Sequence, residues 1–283
     1  TNVLAGPFAC HQLAHMGADV IKVETRQGGD LARQLGADPE LNKRFMGVSF
    51  LAQNPGKRSI TVDFKHPSGK EVFRRLVRTA DVVVENFRPG VMNRLGLGYE
   101  SLLQENPKLI YCAISGFGQD GPLRDLPAYD QIIQGMSGVM SITGAPENAP
   151  YRVGYPMADT IGGITAAFAV AAALADRNRT SGTFIDVSML EAVMATMGWA
   201  VSNHLIAGRE PKPMGNENVT ASPSGTFQTQ DGLLNIAANK QEQFEAVCHV
   251  VGLPQLIADE RFHERQSRLQ NRAELKALLE EAM

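Results

Sequence analysis

One carboxylate heads a long uncharged stretch of this chain. In "YPMADTIGGITAAFAVAAAL", which runs from Tyr155 to Leu174, Asp159 precedes two glycines and an alanine-rich run. Backbone N–H groups at a helix start are unpaired and the helix dipole favours negative charge there, so a carboxylate in that place stays ionised. The plain structural role for it is an N-cap. Gly162 and Gly163 point further, because each lowers helix propensity by about 1 kcal/mol relative to Ala. Their missing side chains would let a substrate approach the backbone closely, and free N–H groups would stabilise an oxyanion. The stretch "ITAAFAVAAAL" would hold the helix in a dry core, the protection from water that an acyl-carboxylate intermediate needs. An ionised carboxylate is a competent, if weak, nucleophile toward an activated acyl group.

A second group of candidates is cationic. In an open α/β sheet, ligands bind outside the carboxyl ends of the strands. The segments "VETRQGGDLAR", "DFKHPSGK" and "ENFRPGVMNRLG" each follow a strand-like run, and they supply Arg26, Arg33, Lys65, Arg88 and Arg94. Cations converging there suit a ligand that carries phosphates, since Arg binds phosphate oxygens in pairs. Solvated loop charges remain the alternative for any one of them. Known nucleotide loops do not match. A Walker loop needs Gly where Leu51 stands, five residues ahead of Gly56-Lys57, and Arg58 replaces its Ser/Thr. The dinucleotide fingerprint is absent from "LAGPFACHQ", so Glu24, placed like a ribose-binding acid, carries little weight. His11 and His15 at i, i+4 lack the glutamate of a zinc protease and a third ligand, so no metal is expected. No G-x-S-x-G elbow occurs.

These residues need a scaffold. "FACHQLAHMG" reads as a helix, "ADVIKVE" as a strand, "SITVDF" as a strand, and "HPSGKEVFRRLVRTA" as a helix with Pro67 in its first turn. "DVVVENF" and "LIYCAISGFG" are apolar strands separated by the short helix "GYESLLQENP". The helix after Asp159 leads through a turn at "RNRTSG" to the strand "TFIDVSM" and the helix "LEAVMATMGWAV". Alternation on this scale predicts a parallel, doubly wound α/β sheet. After residue 205 the segment 206–224 is rich in Pro, Gly, Asn and Ser and reads as a linker. Residues 225–283 then predict a smaller α+β domain: a hairpin turning at Asp231-Gly232, a helix in "QEQFEAVCHVVG", and a last helix in "RAELKALLEEA". Asn271 is placed to cap that helix and Glu274 to complete a capping box.

Composition sets limits. The 283 residues are 43% hydrophobic and 20% charged with a net charge of −3, which argues against a general nucleic-acid or anionic-membrane surface. Cys10, Cys112 and Cys248 form neither a disulfide framework nor a zinc pattern, so a reducing, cytoplasmic setting is expected. The N-terminus lacks the pattern of a signal peptide. The uncharged run from Thr160 to Ala175 is short for a membrane span and reads as a buried core helix. The strand-like opening "NVLAGP" and the ending inside a helix predict a partial chain.

Taken in order, "VLAGPFACHQLAHMGADVIKVE", "GGDLAR", "GKRSITVDFKHPSGK", "ADVVVENFRPGVMNRLGLGYESLLQENPKLIYCAISGFGQDGP", "AYDQIIQGMSG", "GYPMADTIGG" and "SGTFIDVSMLEAV" resemble the class III CoA-transferases, the CaiB/BaiF family. The resemblance covers essentially the whole chain. It implies a Rossmann-like large domain with a small domain, and two chains interlocked as a homodimer. Family members begin with a strand ahead of "VLAGP" and continue beyond this chain's end. The resemblance makes Asp159 the nucleophile. It implies coenzyme A contacts at Leu4, Ala5, Arg33, Val62, Asp63, Phe64, Lys65, Asn86, Phe87, Arg88 and Arg94, with Ala128, Tyr129 and Asp130 nearest the thioester. The implied reaction moves CoA from an acyl-CoA to a small carboxylic acid through aspartyl-anhydride and aspartyl-CoA intermediates, with no resident cofactor. Racemases of 2-methylacyl-CoA share the fold but carry His where Tyr129 stands. A phenol of ordinary pKa near 10 is a poor proton acceptor at neutral pH. A non-catalytic acyl-CoA-binding homologue is the remaining alternative. Arg152, if it points inward, would suit the second carboxylate of a dicarboxylic acid; otherwise it is a surface charge.

Overall fold

Six consecutive residues, "IYCAIS", are buried along their whole length and form the central strand of the larger part of the chain. A strand buried on both faces is what a parallel sheet flanked by helices requires. The computed structural model describes residues 1–283. The chain divides into two units: Thr1–Met140 with Arg152–Glu210, and Ser141–Tyr151 with Pro211–Met283. The change near Glu210 falls inside the segment that reads as a linker. Residues 141–151, which the sequence places with the large domain, join the second unit, where Gly215 N–H donates to Gly144 C=O at 2.8 Å.

The first unit runs α1 (Ala5–His15), β1 (Ile21–Glu24), a short 3-10 turn (Leu31–Gln34), α2 (Pro39–Lys43), α3 (Val48–Gln53), β2 (Arg58–Thr61), α4 (Pro67–Val77), β3 (Val82–Glu85), α5 (Val91–Leu95), α6 (Tyr99–Leu103), β4 (Ile110–Ser115), α7 (Asp130–Met136), α8 (Met157–Ala175), β5 (Thr183–Ser188), α9 (Met189–Thr196) and α10 (Gly198–Ala207). All its strand pairs are parallel. They form two ladders, β1–β2 and β3–β4–β5, with Val23 opposite Ile60 in one and Cys112 opposite Ile185 in the other. A cavity of about 490 Å³ is lined by β1 and β3 together. The mixed α/β class with parallel sheets is as the sequence predicts.

Three local readings change. "NVLAGP" is not a strand, because its backbone donors bond to side chains: Asn2 N–H to Asn86 Oδ1 at 2.8 Å and Val3 N–H to Asp30 Oδ1 at 2.9 Å. The helix after β5 is two helices, broken at Met197. Residues 39–53, unassigned by pattern, hold α2 and α3, and the Asp38 carboxylate caps α2.

Helix α8 is long and apolar enough to cross a membrane by length and composition alone, with a hydropathy of 1.6. Its small residues, Gly162, Gly163, Ala166, Ala167 and Val170, are buried, and it packs on α1, α7, α9, β4 and β5. Phe168 and Ile164 on its other side are exposed.

The second unit pairs β6 (Ser224–Thr229) with β7 (Gly232–Ala237) antiparallel, followed by α11 (Gln241–Val250), α12 (Arg265–Gln270) and α13 (Arg272–Ala282). Phe227, Phe244, Phe262 and Leu275 form its core. The hairpin loop is Gln230-Asp231, one residue earlier than the turn signal suggests. Asn271 stands at the N-cap of α13 but forms no capping box. Its amide donates instead to the Arg261 and Ser267 carbonyls, both at 3.1 Å, and Glu274 pairs with Arg261.

Candidate active site

Asp159 is the third residue of α8 and does not cap it. The residue at the cap position is Pro156, which has no side chain able to do so. The capping function comes from another helix. Asp130, the first residue of α7, accepts the Ala158 N–H at 2.7 Å and the Asp159 N–H at 3.4 Å on Oδ1, the two groups an N-cap side chain would satisfy. Its Oδ2 accepts from the Gln134 amide at 2.7 Å. Gln134, one helical turn along α7, also accepts the Val153 N–H at 2.8 Å and donates to the Tyr155 carbonyl at 3.3 Å. Two buried side chains on α7 therefore fix the segment entering α8.

The Asp159 carboxylate is treated in the opposite way. Burial, then the neighbouring Asp130 charge, pushes its pKa up from 3.8 to about 6, and no hydrogen bond offsets them. A desolvated carboxylate without donors is more basic, and hence more nucleophilic, than one solvated or paired.

Gly162 and Gly163 serve this site through packing, which corrects the reading of them as points of substrate approach. A Cβ on Gly163 would lie 2.7 Å from the Ala5 carbonyl oxygen, and one on Gly162 would lie 2.8 Å from Met189 Cγ. Both are inside the helix, where the N–H groups pair with carbonyls four residues back and are closed to an oxyanion. Gly116, just after β4, acts similarly: a Cβ there would fall 2.1 Å from Ala128 Cβ. That contact seats the segment Ala128-Tyr129-Asp130. Tyr129 itself is 75% exposed at the head of α7.

The remaining candidates lie at the carboxyl ends of the strands and at the head of α1. Leu4 and Ala5 open α1, preceded by Val3 in the left-handed region at φ 63°. Such a conformation persists only where its surroundings impose it. Here Asp30 and Asn86 do so. Asp30 bonds the Val3 N–H and pairs with the buried Lys22 at 2.6 Å, while Asn86 exchanges two hydrogen bonds with Asn2. Lys57 adds a further clamp through bonds to the Pro7 and Gln53 carbonyls, both at 2.7 Å, and burial lowers its pKa to about 8.

Val62 is buried, and the half-buried Phe64 and Phe87 pack onto the core of β3 and β4. Asp63, Lys65, Arg88 and Arg94 are exposed. Arg33 is engaged. Its Nε and Nη2 bond to Glu24 at 2.7 and 2.8 Å, and its guanidinium lies 3.7 Å from the Phe50 ring centroid. His11 and His15 approach each other at 3.0 Å, and no third metal-ligating side chain joins them.

Lys22, Asp30, Lys57 and Gln134 were not singled out by sequence. Gln134 carried a usable signal, since it stands four residues after Asp130 on a predicted helical segment. The others depend on contacts between distant segments.

The family model for CoA-transferase family III matches residues 1–283. The succinate–glutarate CoA-transferase of Agrobacterium fabrum is 43% identical over 282 residues, spanning 98% of this chain and 70% of that protein. The succinyl-CoA:glutarate CoA-transferase of Mus musculus is 41% identical, and the match covers 99% of this chain but 64% of the mouse protein. The crystal structure of a CaiB/BaiF family protein from Brucella suis superposes with a TM-score of 0.86 at 40% identity, over 100% of this chain and 75% of that one.

Proposed function

The chain belongs to CoA-transferase family III, and from that premise we propose that it moves CoA from an acyl-CoA to a free carboxylic acid with Asp159 as covalent nucleophile. The observation that carries this reading is a carboxylate with no hydrogen-bond donor, at the head of a helix whose own N–H groups are already capped by Asp130. Such a group is structurally unspent.

In the proposed sequence an Asp159 oxygen attacks the thioester carbonyl, and the C–S bond breaks to release CoA thiolate and leave a mixed anhydride. The thiolate attacks the aspartyl carbonyl, expelling the donor acid as its carboxylate and leaving an aspartyl-CoA thioester. The acceptor carboxylate attacks that thioester, releasing thiolate and forming a new anhydride. Attack of the thiolate on the acceptor's acyl carbon gives the product CoA ester and restores Asp159. No net proton is consumed. CoA itself would lie along the strand ends, its phosphates near Lys65, Arg88 and Arg94, with the Leu4-Ala5 backbone at the head of α1. Arg33 would act from its ion pair with Glu24 rather than as a free cation.

A homodimer fits the surface of the first unit. Helix α10 has no buried residue, and Trp199, Leu205 and Ile206 on it are 73%, 74% and 86% exposed. Apolar exposure of that extent marks an interaction surface.

Intact-protein mass spectrometry after mixing with a panel of acyl-CoAs tests the mechanism. A mass gain removed by hydroxylamine and absent from Asp159→Asn is the expected result. No adduct, with solvent-proton exchange at the acyl α-carbon instead, would overturn it in favour of racemisation.

A further inference from the structure

The acid site gathers negative charge. Asp130 and Asp159 lie close enough that the first raises the pKa of the second, yet an anionic acid must enter beside them. Arg152 is the cation placed against Asp130. Its backbone is anchored, because the next residue, Val153, donates its N–H to the fully buried Gln134. Its head is not. Nε reaches only the adjacent Val153 carbonyl at 3.1 Å, and Nη2 stands 3.7 Å from Asp130 Oδ2, beyond hydrogen-bond range. Asp130 directs Oδ1 to the Ala158 and Asp159 N–H groups and Oδ2 to the Gln134 amide.

Arg33 shows what a committed guanidinium looks like in this protein: two bonds to one carboxylate at 2.7 and 2.8 Å. Arg152 spends its Nε on the Val153 carbonyl and keeps its Nη1/Nη2 edge without a hydrogen bond, its side chain 46% exposed. A planar fork of free donors is matched by a carboxylate. The reacting carboxyl of a substrate belongs at Asp159, so the carboxylate that meets Arg152 has to be a second one on the same molecule. Resting on the transferase reading above, we propose that Arg152 determines specificity and that the acids exchanged are dicarboxylates, held by their distal carboxylate at Arg152.

The test measures CoA transfer to succinate and glutarate against acetate and butyrate, each with acetyl-CoA and succinyl-CoA as donors. Wild type, Arg152→Gln and Arg152→Lys are compared, with melting curves as a folding control. The wild type is expected to prefer dicarboxylates. Arg152→Gln should raise their KM about tenfold or more, with kcat and the use of monocarboxylates essentially unchanged. Arg152→Lys, which keeps charge but loses the fork, should fall between. Equal losses toward both acid classes would assign Arg152 to positioning Asp130 and overturn the proposal, as would a wild type without dicarboxylate preference. If the wild type transfers CoA to no acid and forms no hydroxylamine-labile adduct, the transferase reading fails and takes this proposal with it. Transfer with a preference indifferent to Arg152 refutes the proposal alone.

Discussion

Two carboxylates in the first unit receive opposite treatment. Glu24, at the end of β1, is buried, and burial alone would raise its pKa. Hydrogen bonds from Arg33, Ser59 and the Asp30 N–H overcome that and hold it at about 2. Asp159, at the head of α8, is also desolvated, but it has no donor and a like charge beside it, and its pKa rises to about 6. The first carboxylate is saturated and fixes a loop. The second is kept basic by the absence of everything that stabilises the first. Charge, burial and position at the end of an element do not distinguish a structural acid from a reactive one; the count of donors aimed at it does.

Replacing Asp159 gives the largest expected effect. Asp159→Asn should lower transfer on the order of 10⁴-fold while leaving the fold intact. It should also raise stability at neutral pH by about 1–3 kcal/mol. The sign follows from the raised pKa: the folded state holds the Asp159 proton more tightly than the unfolded chain, so stability falls as pH rises from about 4 to about 6 and stays lower above that. The Asn variant removes this fall. Glu24→Gln should do the reverse, destabilising by about 2–3 kcal/mol at neutral pH because Arg33 loses its paired carboxylate. Glu24 has a depressed pKa, so its contribution is present above about 4.5 and is lost as pH falls toward 2. Urea unfolding across this pH range checks both slopes. Parallel slopes for the two variants would break the contrast.

What the sequence revealed divides along the same line. The strand β4 was legible because six successive buried positions leave a continuous apolar run. Asp159 was legible because an acid ahead of "TIGGITAAF" is locally conspicuous. The partner that frees it was not. Asp130 is 29 residues earlier, and its role as cap exists only once α7 packs on α8. Glu24 illustrates the converse, for its end-of-strand position resembles that of a ribose-binding acid, while four donors, three from Asp30 and Arg33 and one from Ser59 on β2, claim it in the fold. Local signals also misled where a side chain had a better offer elsewhere. Asn271 had the right spacing for a capping box, but its amide serves Arg261 and Ser267. "NVLAGP" had strand-like residues, but Asn86 and Asp30 took its backbone donors.

Asp130 allows the contrast to be sharpened by half-steps. Asp130→Asn keeps an acceptor for the Ala158 N–H but removes the adjacent charge, so the Asp159 pKa should drop toward its ordinary value. Transfer should fall about tenfold through a weaker nucleophile, and the acid limb of the pH–rate profile should move to lower pH. Asp130→Ala should add a loss of about 1–2 kcal/mol in stability, the cost of an uncapped helix. If Asp130→Asn leaves the acid limb where it was, the like charge is not what sets Asp159 apart.

The smallest effect separates the two glycines that seat α8. Alanine gains about 1 kcal/mol of helix propensity at either position, so the outcome depends on what its methyl group meets. At Gly163 the obstacle is the Ala5 carbonyl oxygen at 2.7 Å, with Phe8 Cδ1 at 3.0 Å. A backbone carbonyl inside α1 cannot move without shifting that helix, and overpacking of this kind costs about 1–3 kcal/mol. At Gly162 the obstacle is Met189 Cγ at 2.8 Å, part of a flexible side chain that can repack. Gly163→Ala should therefore be about 1 kcal/mol less stable than Gly162→Ala. It should also reduce transfer more, since α1 carries the Leu4-Ala5 backbone and α8 carries Asp159. Equal melting temperatures for the two variants would show that the α1–α8 contact does not hold the nucleophile in place, and would leave the Asp130 cap as its only anchor.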